Sequence, residues 1–273
     1  KKMTNLEIKS NSKKEKINIY NKNNFKSMKK AGELAAKTLD FITDYIKPGI
    51  TTEKLNVLCH EFIIKNKAIP APLNYNGYPK SICTSVNHVV CHGIPSQKVL
   101  DKEDIINIDI TVILDGWYGD SSRMYIVDKN TSVKANKLIN VTYECMMEGI
   151  QKVKPGSTLG DIGNIIEKIA NKNSFSVVKD FCGHGIGKNF HEPPSILHYG
   201  NKGEGLILKE GMIFTIEPML NAGTDRIKIL KDGWTAVTKD KKLSAQFEHT
   251  IGVSKNGYKI FTTSPKGYNK PPY

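Results

Sequence analysis

The hydrophobic pattern is clearest along residues 106–114, where apolar and polar side chains alternate. The apolar face consists of β-branched residues, namely Ile108, Ile110 and Val112. A period of two predicts a β-strand, and the dipeptide Asp115-Gly116 that follows is typical of a two-residue hairpin turn. That turn places Thr111 opposite Asp120, with Asp109 one diagonal away on the same face. Two carboxylates this close on a half-buried face repel each other unless they share a proton or hold a cation.

Helical periodicity is the second signal. Apolar residues recur at helical spacing from about residue 25 to residue 46. The stretches that begin with Lys47-Pro48-Gly49 and with Lys154-Pro155-Gly156 each combine a Pro-Gly turn, a threonine N-cap and a further helix. The two turns match at an offset of 107 residues, which indicates an internal repeat.

The repeat extends to residues that carry chemistry. Residues 91–94 read CHGI and residues 183–186 read GHGI, while residues 107–110 read NIDI and residues 214–218 read FTIEP. Both halves therefore contain a His-Gly turn, a strand with one inward carboxylate and a second strand with another. In chain order these groups are His92, Asp109 and Asp120 in the first half, and His184, Glu217 and Glu248 in the second.

One interpretation of the hairpin is that its two carboxylates lie on the solvated outer face of an edge strand. A pseudo-twofold pairing of the halves favours the other interpretation, in which four carboxylates and at least one imidazole meet at a common centre. Four carboxylates are not buried together without strong positive charge. Oxygen-rich sites with one nitrogen suit a pair of Mn, Fe(II), Co or Zn ions.

Composition narrows the class of protein. The chain has 273 residues, which suits one large domain or two small ones. It has no run of about 18 apolar residues and no apolar segment near its N-terminus of the kind that a secretory signal needs. The five cysteines form an odd set without a CxxC pair, which favours free thiols in a reducing compartment and hence a cytoplasmic location.

Charge is unevenly distributed. The net charge is +13, and residues 1–30 contain ten lysines and two glutamates. The chain has only two arginines, Arg123 and Arg226, which argues against a dedicated phosphate-reading or base-reading surface. The basic N-terminal arm is interpreted as a solvated, disordered tail, with contact to RNA or a ribosome as the alternative.

Five motifs together resemble the type I methionine aminopeptidases. They read VVCHGIP, NIDITVILDGWYGD, GHGIGKNFHEPP, FTIEP and SAQFEHTIGV, and the resemblance runs from about residue 25 to residue 262. It implies an α+β class, the creatinase-like pita-bread fold, in which a central antiparallel sheet is covered by helices. The implied organisation is a basic arm over residues 1–24 and one catalytic domain over residues 25–273. The halves of that domain span about residues 25–130 and 131–265.

The resemblance also implies roles for single residues. The implied ligands of two divalent metal ions are Asp109, Asp120, His184, Glu217 and Glu248. Asp120 and Glu248 would bridge the ions, and Glu217 would also act as the general base. Two further histidines, His92 and His191, would contact the substrate and act in catalysis without binding metal.

A small apolar pocket for the first side chain of the substrate is implied as well. Its residues would be Tyr75, Tyr78, Cys83, Phe190 and Trp234, together with the two substrate-contacting histidines. Aromatic edges pack well against a methionine thioether. The chain departs from the family pattern at Pro72 and Asn76, where bacterial relatives often have Cys and His, so the details of the pocket and its preference for inhibitors stay open.

Other histidines are interpreted as structural or surface residues, namely His60, His88, His198 and His249. His88 and His92 form an HxxxH pair, but the β-branched surroundings predict an extended segment that holds the rings about 13 Å apart. The glycine-rich GHGIGKNF stretch lacks the Lys-Ser/Thr of a phosphate loop, which excludes a nucleotide-binding reading.

The implied function is metal-dependent removal of the N-terminal methionine from nascent polypeptides whose second residue is small. Two alternatives stay open: an aminopeptidase that cleaves before proline on the same fold, and a non-catalytic pita-bread protein that binds RNA or ribosomes. The expected partners are nascent N-termini, with transient ribosome contact through the basic arm. We expect a monomer with no membrane association.

Overall fold

The computed structural model describes residues 16–128 and 131–273. The predicted disorder of residues 1–15 lies outside the described residues. Four α-helices are present in the described ranges: α1 (Lys22–Thr43), α2 (Thr52–Lys65), α3 (Val133–Gln151) and α4 (Leu159–Lys172). None of these described helices is long and apolar enough to cross a bilayer. A short 3₁₀ turn spans Tyr75–Gly77.

The strands are short apart from one central hairpin. In chain order they are β1 (Ile69–Pro70), β2 (Cys83–Val86), β3 (Val89–Cys91), β4 (Ile105–Leu114), β5 (Trp117–Ile126), β6 (Ser176–Val177), β7 (Gly183–Gly185), β8 (Glu192–Ile196), β9 (Ile213–Ile216), β10 (Met219–Asn221), β11 (Ile227–Ile229), β12 (Ala236–Thr238), β13 (Ser244–Gln246), β14 (His249–Ser254) and β15 (Gly257–Ile260).

The strands pair antiparallel in four sheets. The first has the order β1-β4-β2 with β5 also paired to β4, and the largest has the order β15-β14-β9-β7-β8. Two smaller sheets have the orders β13-β10-β6 and β11-β12-β3. The expected α+β fold with antiparallel sheet and covering helices is confirmed, although the strands form four sheets and not one central sheet.

The β4–β5 hairpin has the register that the sequence predicts. Thr111 pairs with Asp120 and Leu114 with Trp117. The turn residue Asp115 has φ 51° and the following glycine φ 74°, which is the left-handed pair that a type I′ turn requires. The local sequence is therefore sufficient to set this hairpin.

The internal repeat is also visible in the backbone. The amide of Gly49 donates to Leu100 O at 2.9 Å, and the amide of Gly156 donates to Leu208 O at 3.0 Å. Both glycines have φ near +90°, which glycine adopts at no steric cost. The N-caps of the helices that follow are the threonines Thr51 and Thr158. The same turn thus connects the two helices of each half.

Each half has its own apolar core, and the halves meet at backbone hydrogen bonds. The first core lies between α1, α2 and β4, and the second between α3, α4, β9 and β14. Ser122 and Glu248 exchange two backbone hydrogen bonds of 3.4 and 3.1 Å. Ser121 Oγ adds a bond of 2.7 Å to Glu248 O. The hairpin of the first half is therefore attached to the sheet of the second.

The predicted end of the N-terminal arm at residue 24 is wrong for its last residues. Helix α1 begins at Lys22, with Asn21 as its N-cap in a capping box. The preceding residues are packed, since Ile17 contacts the core of the second half and the Tyr20 amide donates to Gly211 O at 2.8 Å. The high lysine content of the N-terminal residues gave no indication of these apolar contacts.

The predicted extended conformation around His88 is wrong as well. Asn87 and His88 form the two-residue turn between β2 and β3, and Asn87 has φ 54°. The Asn87 side chain accounts for the turn, because its Oδ1 accepts from the Ile105 amide at 3.1 Å and its Nδ2 donates to Asp104 at 2.7 Å. His88 is half-buried in this turn.

A buried ion pair ties α1 to β5 and to the C-terminal segment. Arg123 Nη1 donates to Asp40 Oδ1, and the two side chains are 2% and 4% exposed. Asp40 also accepts from Ser264 Oγ at 2.7 Å and from the Lys266 amide at 3.2 Å. Both oxygens of the Asp40 carboxylate therefore accept hydrogen bonds, as burial of a charge requires.

Replacement of Asp40 by Ala should lower the free energy of unfolding by about 3–5 kcal/mol, because Arg123 would be left buried without a counter-charge. Glu33→Ala is the matched control, since it removes the Glu33–Lys37 pair of the same helix, whose side chains are 40% and 50% exposed. That change should cost less than about 0.5 kcal/mol. Urea unfolding measures both, and equal effects would contradict the assignment.

Candidate metal centre

Three of the predicted ligand residues lie on strands, and the other two lie next to strand ends. Asp109 lies on β4 and Asp120 on β5, His184 lies on β7, and Glu217 and Glu248 flank the β9–β14 pair. Because β9 pairs with β14 through Ile216 and His249, the two glutamates leave the sheet side by side. The junction between the halves brings them opposite the two aspartates.

Distances place one imidazole among the carboxylates. His184 Nε2 lies 3.6 Å from Asp120 Oδ2 and 3.6 Å from Glu217 Oε1. One ligand atom each from Asp120, His184 and Glu248 lie within 4.8 Å of one another. A single cation between them would reach all three. The ring is oriented by its other nitrogen, Nδ1, which lies 3.0 Å from Gly185 O.

Neutral side chains hold the carboxylates in place. Thr111 Oγ1 donates to Asp120 at 2.7 Å, and Thr215 Oγ1 donates to Glu217 at 2.6 Å. Asp109 Oδ1 is buried and has no hydrogen-bond partner among the described residues. The cluster therefore contains an acceptor oxygen that the surrounding protein leaves unsatisfied.

Burial makes the charged state of this cluster unfavourable in the absence of a cation. It raises the pKa of Asp109 to about 7 and that of Glu217 to about 8. The pKa values of Asp120 and Glu248 are also well above their ordinary range, first because of burial and then because of repulsion from the other carboxylates. Burial lowers the pKa of His184 to about 4, so its imidazole is neutral and able to act as a ligand.

The donor set fits divalent metal ions. Four carboxylates and one neutral imidazole converge, an acceptor oxygen of Asp109 is unsatisfied, and burial and mutual repulsion raise the pKa values of the carboxylates, so a bound cation would favour their ionised form. Mostly oxygen ligands with one nitrogen are typical of Mn, Fe(II), Co or Zn sites. The residues present are thus sufficient to hold metal at this position.

The two predicted non-ligand histidines both lie near His184. The His191 ring is 4.3 Å from the His184 ring, and its Nδ1 is 2.8 Å from the Tyr75 hydroxyl. His92 has φ 55°, and its ring meets Phe181 edge-on at 5.3 Å. Desolvation lowers the pKa of both His92 and His191, so both rings are neutral at pH 7.

The predicted pocket residues surround the same cleft. Tyr78 and Trp234 meet edge-on at 5.2 Å, and Tyr75 lies 4.8 Å from Phe190. Cys83 pairs with Asp109 across β2 and β4 and is 7% exposed. Cys83 therefore adjoins Asp109, and each aromatic pair lies beside a predicted site histidine, with Tyr75 5.3 Å from His191 and Trp234 6.4 Å from His92.

The departures from the family pattern lie beside the pocket. Pro72 is buried, while Asn76 is exposed and has φ 48° in the 3₁₀ turn.

Several supporting residues were missed in the sequence. Gln246 Nε2 donates to Glu217 Oε2 at 3.3 Å, and His198 Nε2 accepts from the Glu217 amide at 3.1 Å. The two-residue period of a strand could have predicted Thr215, because it lies two residues before Glu217 and therefore on the same face. No local signal marks His198, whose ring is 0% exposed and is therefore structural, the first of the two interpretations given for it.

The remaining histidines have structural partners. His60 Nδ1 lies 2.8 Å from Ser81 Oγ, and His249 Nδ1 lies 2.8 Å from Thr262 Oγ1. His249 is buried and His60 is half-buried. Their interpretation as structural residues is consistent with these contacts.

Metal-free protein should lose stability as pH rises from 7 to 8.5. In the unfolded chain Glu217 is already ionised and the histidines are mostly neutral in this interval, whereas folded Glu217 still gives up its proton near pH 8. The loss should be on the order of 1–2 kcal/mol from this residue, and Glu217→Gln should reduce it. Urea unfolding at each pH measures it; stability that rises with pH would contradict the buried, cation-free cluster.

Comparison with known proteins identifies the family. Residues 26–255 match metallopeptidase family M24. The methionine aminopeptidase of Rickettsia prowazekii (strain Madrid E) is 62% identical over 94% of this chain and 99% of that protein. Methionine aminopeptidase A of a Synechocystis strain is 53% identical over 90% and 97% of the two chains. The crystal structure of the Rickettsia prowazekii methionine aminopeptidase superposes with a TM-score of 0.90, covering 90% of this chain and all of that one. The chain therefore belongs to metallopeptidase family M24, whose methionine aminopeptidases are its relatives.

Proposed function

We propose that this chain removes the N-terminal methionine from nascent proteins and peptides whose second residue is small. The observation that carries the proposal is the cluster of four carboxylates and one neutral imidazole beside aromatic side chains. The high identity to methionine aminopeptidases supports the same substrate class.

Two divalent ions are proposed at the cluster, drawn from Co, Mn, Fe(II) and Zn. Asp109, Asp120, His184, Glu217 and Glu248 would hold them. When bound, such ions would supply Lewis-acid polarisation of the substrate carbonyl and would lower the pKa of water to near neutrality. The carboxylate-rich donor set and the unsatisfied Asp109 oxygen support this arrangement.

Glu217 is proposed as the general base and later proton donor. Thr215 holds one of its oxygens at 2.6 Å and Gln246 approaches the other at 3.3 Å. Its backbone is fixed by the bond to His198. These contacts hold the carboxylate in one orientation, as a general base requires.

His191 is proposed to stabilise the oxyanion that develops on the scissile carbonyl. If the Tyr75 hydroxyl donates to Nδ1, the proton of the neutral ring lies on Nε2, which is then a donor toward the cleft. His92 would position the scissile amide and assist the leaving nitrogen. Its ring is held edge-on by Phe181, with Trp234 6.4 Å away.

The pocket is proposed to hold the methionine side chain. Tyr78 and Trp234 present aromatic edges, and Cys83 adds a buried thiol next to Asp109. The Tyr78 hydroxyl donates to Ile82 O at 3.0 Å and to Gly93 O at 3.1 Å, so its position is fixed. A methionine thioether packs well against such aromatic edges.

We also propose that the enzyme acts in the cytoplasm as a monomer that contacts ribosomes transiently. The five cysteines are free thiols, which is typical of a reducing compartment. All groups of the cluster come from one chain, so no partner copy is needed. The lysine-rich residues 1–30 would contact ribosomal RNA, and co-sedimentation that falls with salt concentration would support that contact.

The purified chain should cleave Met-Ala-Ser and leave Ala-Pro peptides intact. Activity of the metal-free protein should return when Mn, Co, Fe(II) or Zn is added one at a time, with metal content measured in each sample. Preference for Ala-Pro would favour the proline-specific alternative. Full metal loading without cleavage of either peptide would favour a non-catalytic binding protein.

Replacing each of the two neighbouring histidines should separate their roles. His184→Ala should lose metal affinity, because it removes the nitrogen donor of the cluster. His191→Ala should retain metal and fold, and its kcat should fall by about 10²–10³. Metal stoichiometry and turnover measure both. Equal metal loss in the two variants would contradict the role proposed for His191.

A further inference from the structure

Glu192, the residue after His191, is a buried carboxylate with no role in the proposed chemistry. It is 8% exposed. Its Oε2 accepts from Asn18 Nδ2 at 2.7 Å and from the Tyr20 hydroxyl at 2.9 Å. Its Oε1 accepts from the Asn189 amide at 3.1 Å and from Asn189 Nδ2 at 3.0 Å. Neutral donors from two distant segments thus hold one charge.

The segment that supplies Asn18 and Tyr20 is seated on the protein. The Tyr20 ring meets Trp117 edge-on at 5.3 Å. A side chain at Gly187 would collide with the Tyr20 hydroxyl, and one at Gly211 would collide with the backbone of Tyr20. These close approaches show that the N-terminal segment fits between the turn before His191 and the turn before β9.

Glu192 controls the backbone from which His191 projects. It is the first residue of β8 and pairs with Gly185 of β7, next to His184. Its bonds to Asn189 close the turn that precedes His191. Tyr75 contacts the other end of the His191 ring. The histidine is therefore held by its side chain from one direction and through Glu192 from the other.

We propose that Asn18 and Tyr20 are positioning residues for His191, which act through the carboxylate of Glu192. The proposal rests on the function proposed above, because it requires His191 to act in turnover. Loss of either donor would leave Glu192 under-satisfied and would let the turn move. The N-terminal segment would then be part of the active site, although it contacts no substrate.

Tyr20→Phe tests this directly, because it keeps the ring against Trp117 and removes only the hydroxyl. We expect kcat on Met-Ala-Ser to fall about tenfold with KM within about twofold, which is less than the roughly 10²-fold cost of a 1 Å misplacement. In a His191→Ala background the same substitution should change kcat by less than about twofold. The matched control is Tyr258→Phe, since Tyr258 is 38% exposed on β15.

Amide hydrogen exchange in the metal-free protein supplies a readout that is independent of turnover. The amides of Lys188 and Asn189, which face Tyr20 and Glu192, should exchange faster in Tyr20→Phe than in the wild type. An active wild type with unchanged kcat in Tyr20→Phe, or equal losses with and without His191, would overturn the positioning role alone. A wild type that does not cleave Met-Ala-Ser would overturn the proposed function and this role together.

A pair of truncations gives the same contrast without point substitutions. A chain that starts at Lys16 retains Asn18 and Tyr20 and should keep the wild-type kcat. A chain that starts at Asn21 retains the N-cap of α1 but lacks both donors, so its kcat should fall at least as far as that of Tyr20→Phe. Equal kcat in the two truncated chains would reject the inference.

Discussion

The mutual repulsion of four buried carboxylates is the constraint on which the rest of the molecule depends. Asp109, Asp120, Glu217 and Glu248 lie where the two halves meet, and burial raises the pKa of each. Such a cluster is stable only if the backbone is rigid and a bound cation offsets the free-energy cost of desolvating the carboxylates. The backbone bonds between Ser122 and Glu248 provide that rigidity at the closest point.

The surroundings of the cluster are consistent with this constraint. Hydroxyl and amide donors orient the carboxylates without adding charge, as Thr111 does for Asp120. The nearby histidines are kept neutral by desolvation, so they serve as a ligand or as hydrogen-bond donors and not as counter-ions. The net positive charge that ionised carboxylates need is therefore left to bound metal, as expected in a metallopeptidase family.

The contact between Glu192 and the N-terminal segment is a second case in which neutral donors hold a buried carboxylate. A buried carboxylate is again held by neutral donors, here Asn18 and Tyr20. The burial of the Tyr20 hydroxyl beside Glu192 raises its pKa to about 12, so it stays protonated and can donate. Such a bond is directional, which makes it suited to fixing the turn before His191.

The sequence by itself determined the structural features that depend only on residues close together in the chain. Period two with Asp115-Gly116 set the β4–β5 register, and the repeated Pro-Gly turns predicted the two threonine N-caps. The repeat also placed a histidine and two carboxylates in each half, which the structure brings together. Because short-range backbone geometry decides these features, they can be predicted from the sequence.

Only the tertiary structure decided the contacts between distant residues. The Glu217 amide donates a hydrogen bond to His198, and its carboxylate accepts one from Gln246. The Glu192 carboxylate accepts one from Asn18, 174 residues away in the sequence. Composition suggested that the N-terminal arm was free up to residue 24, yet Tyr20 packs on Trp117. A hydrogen bond between segments so far apart leaves no periodic trace in either one, because it depends on how the two halves pack and not on local backbone preference.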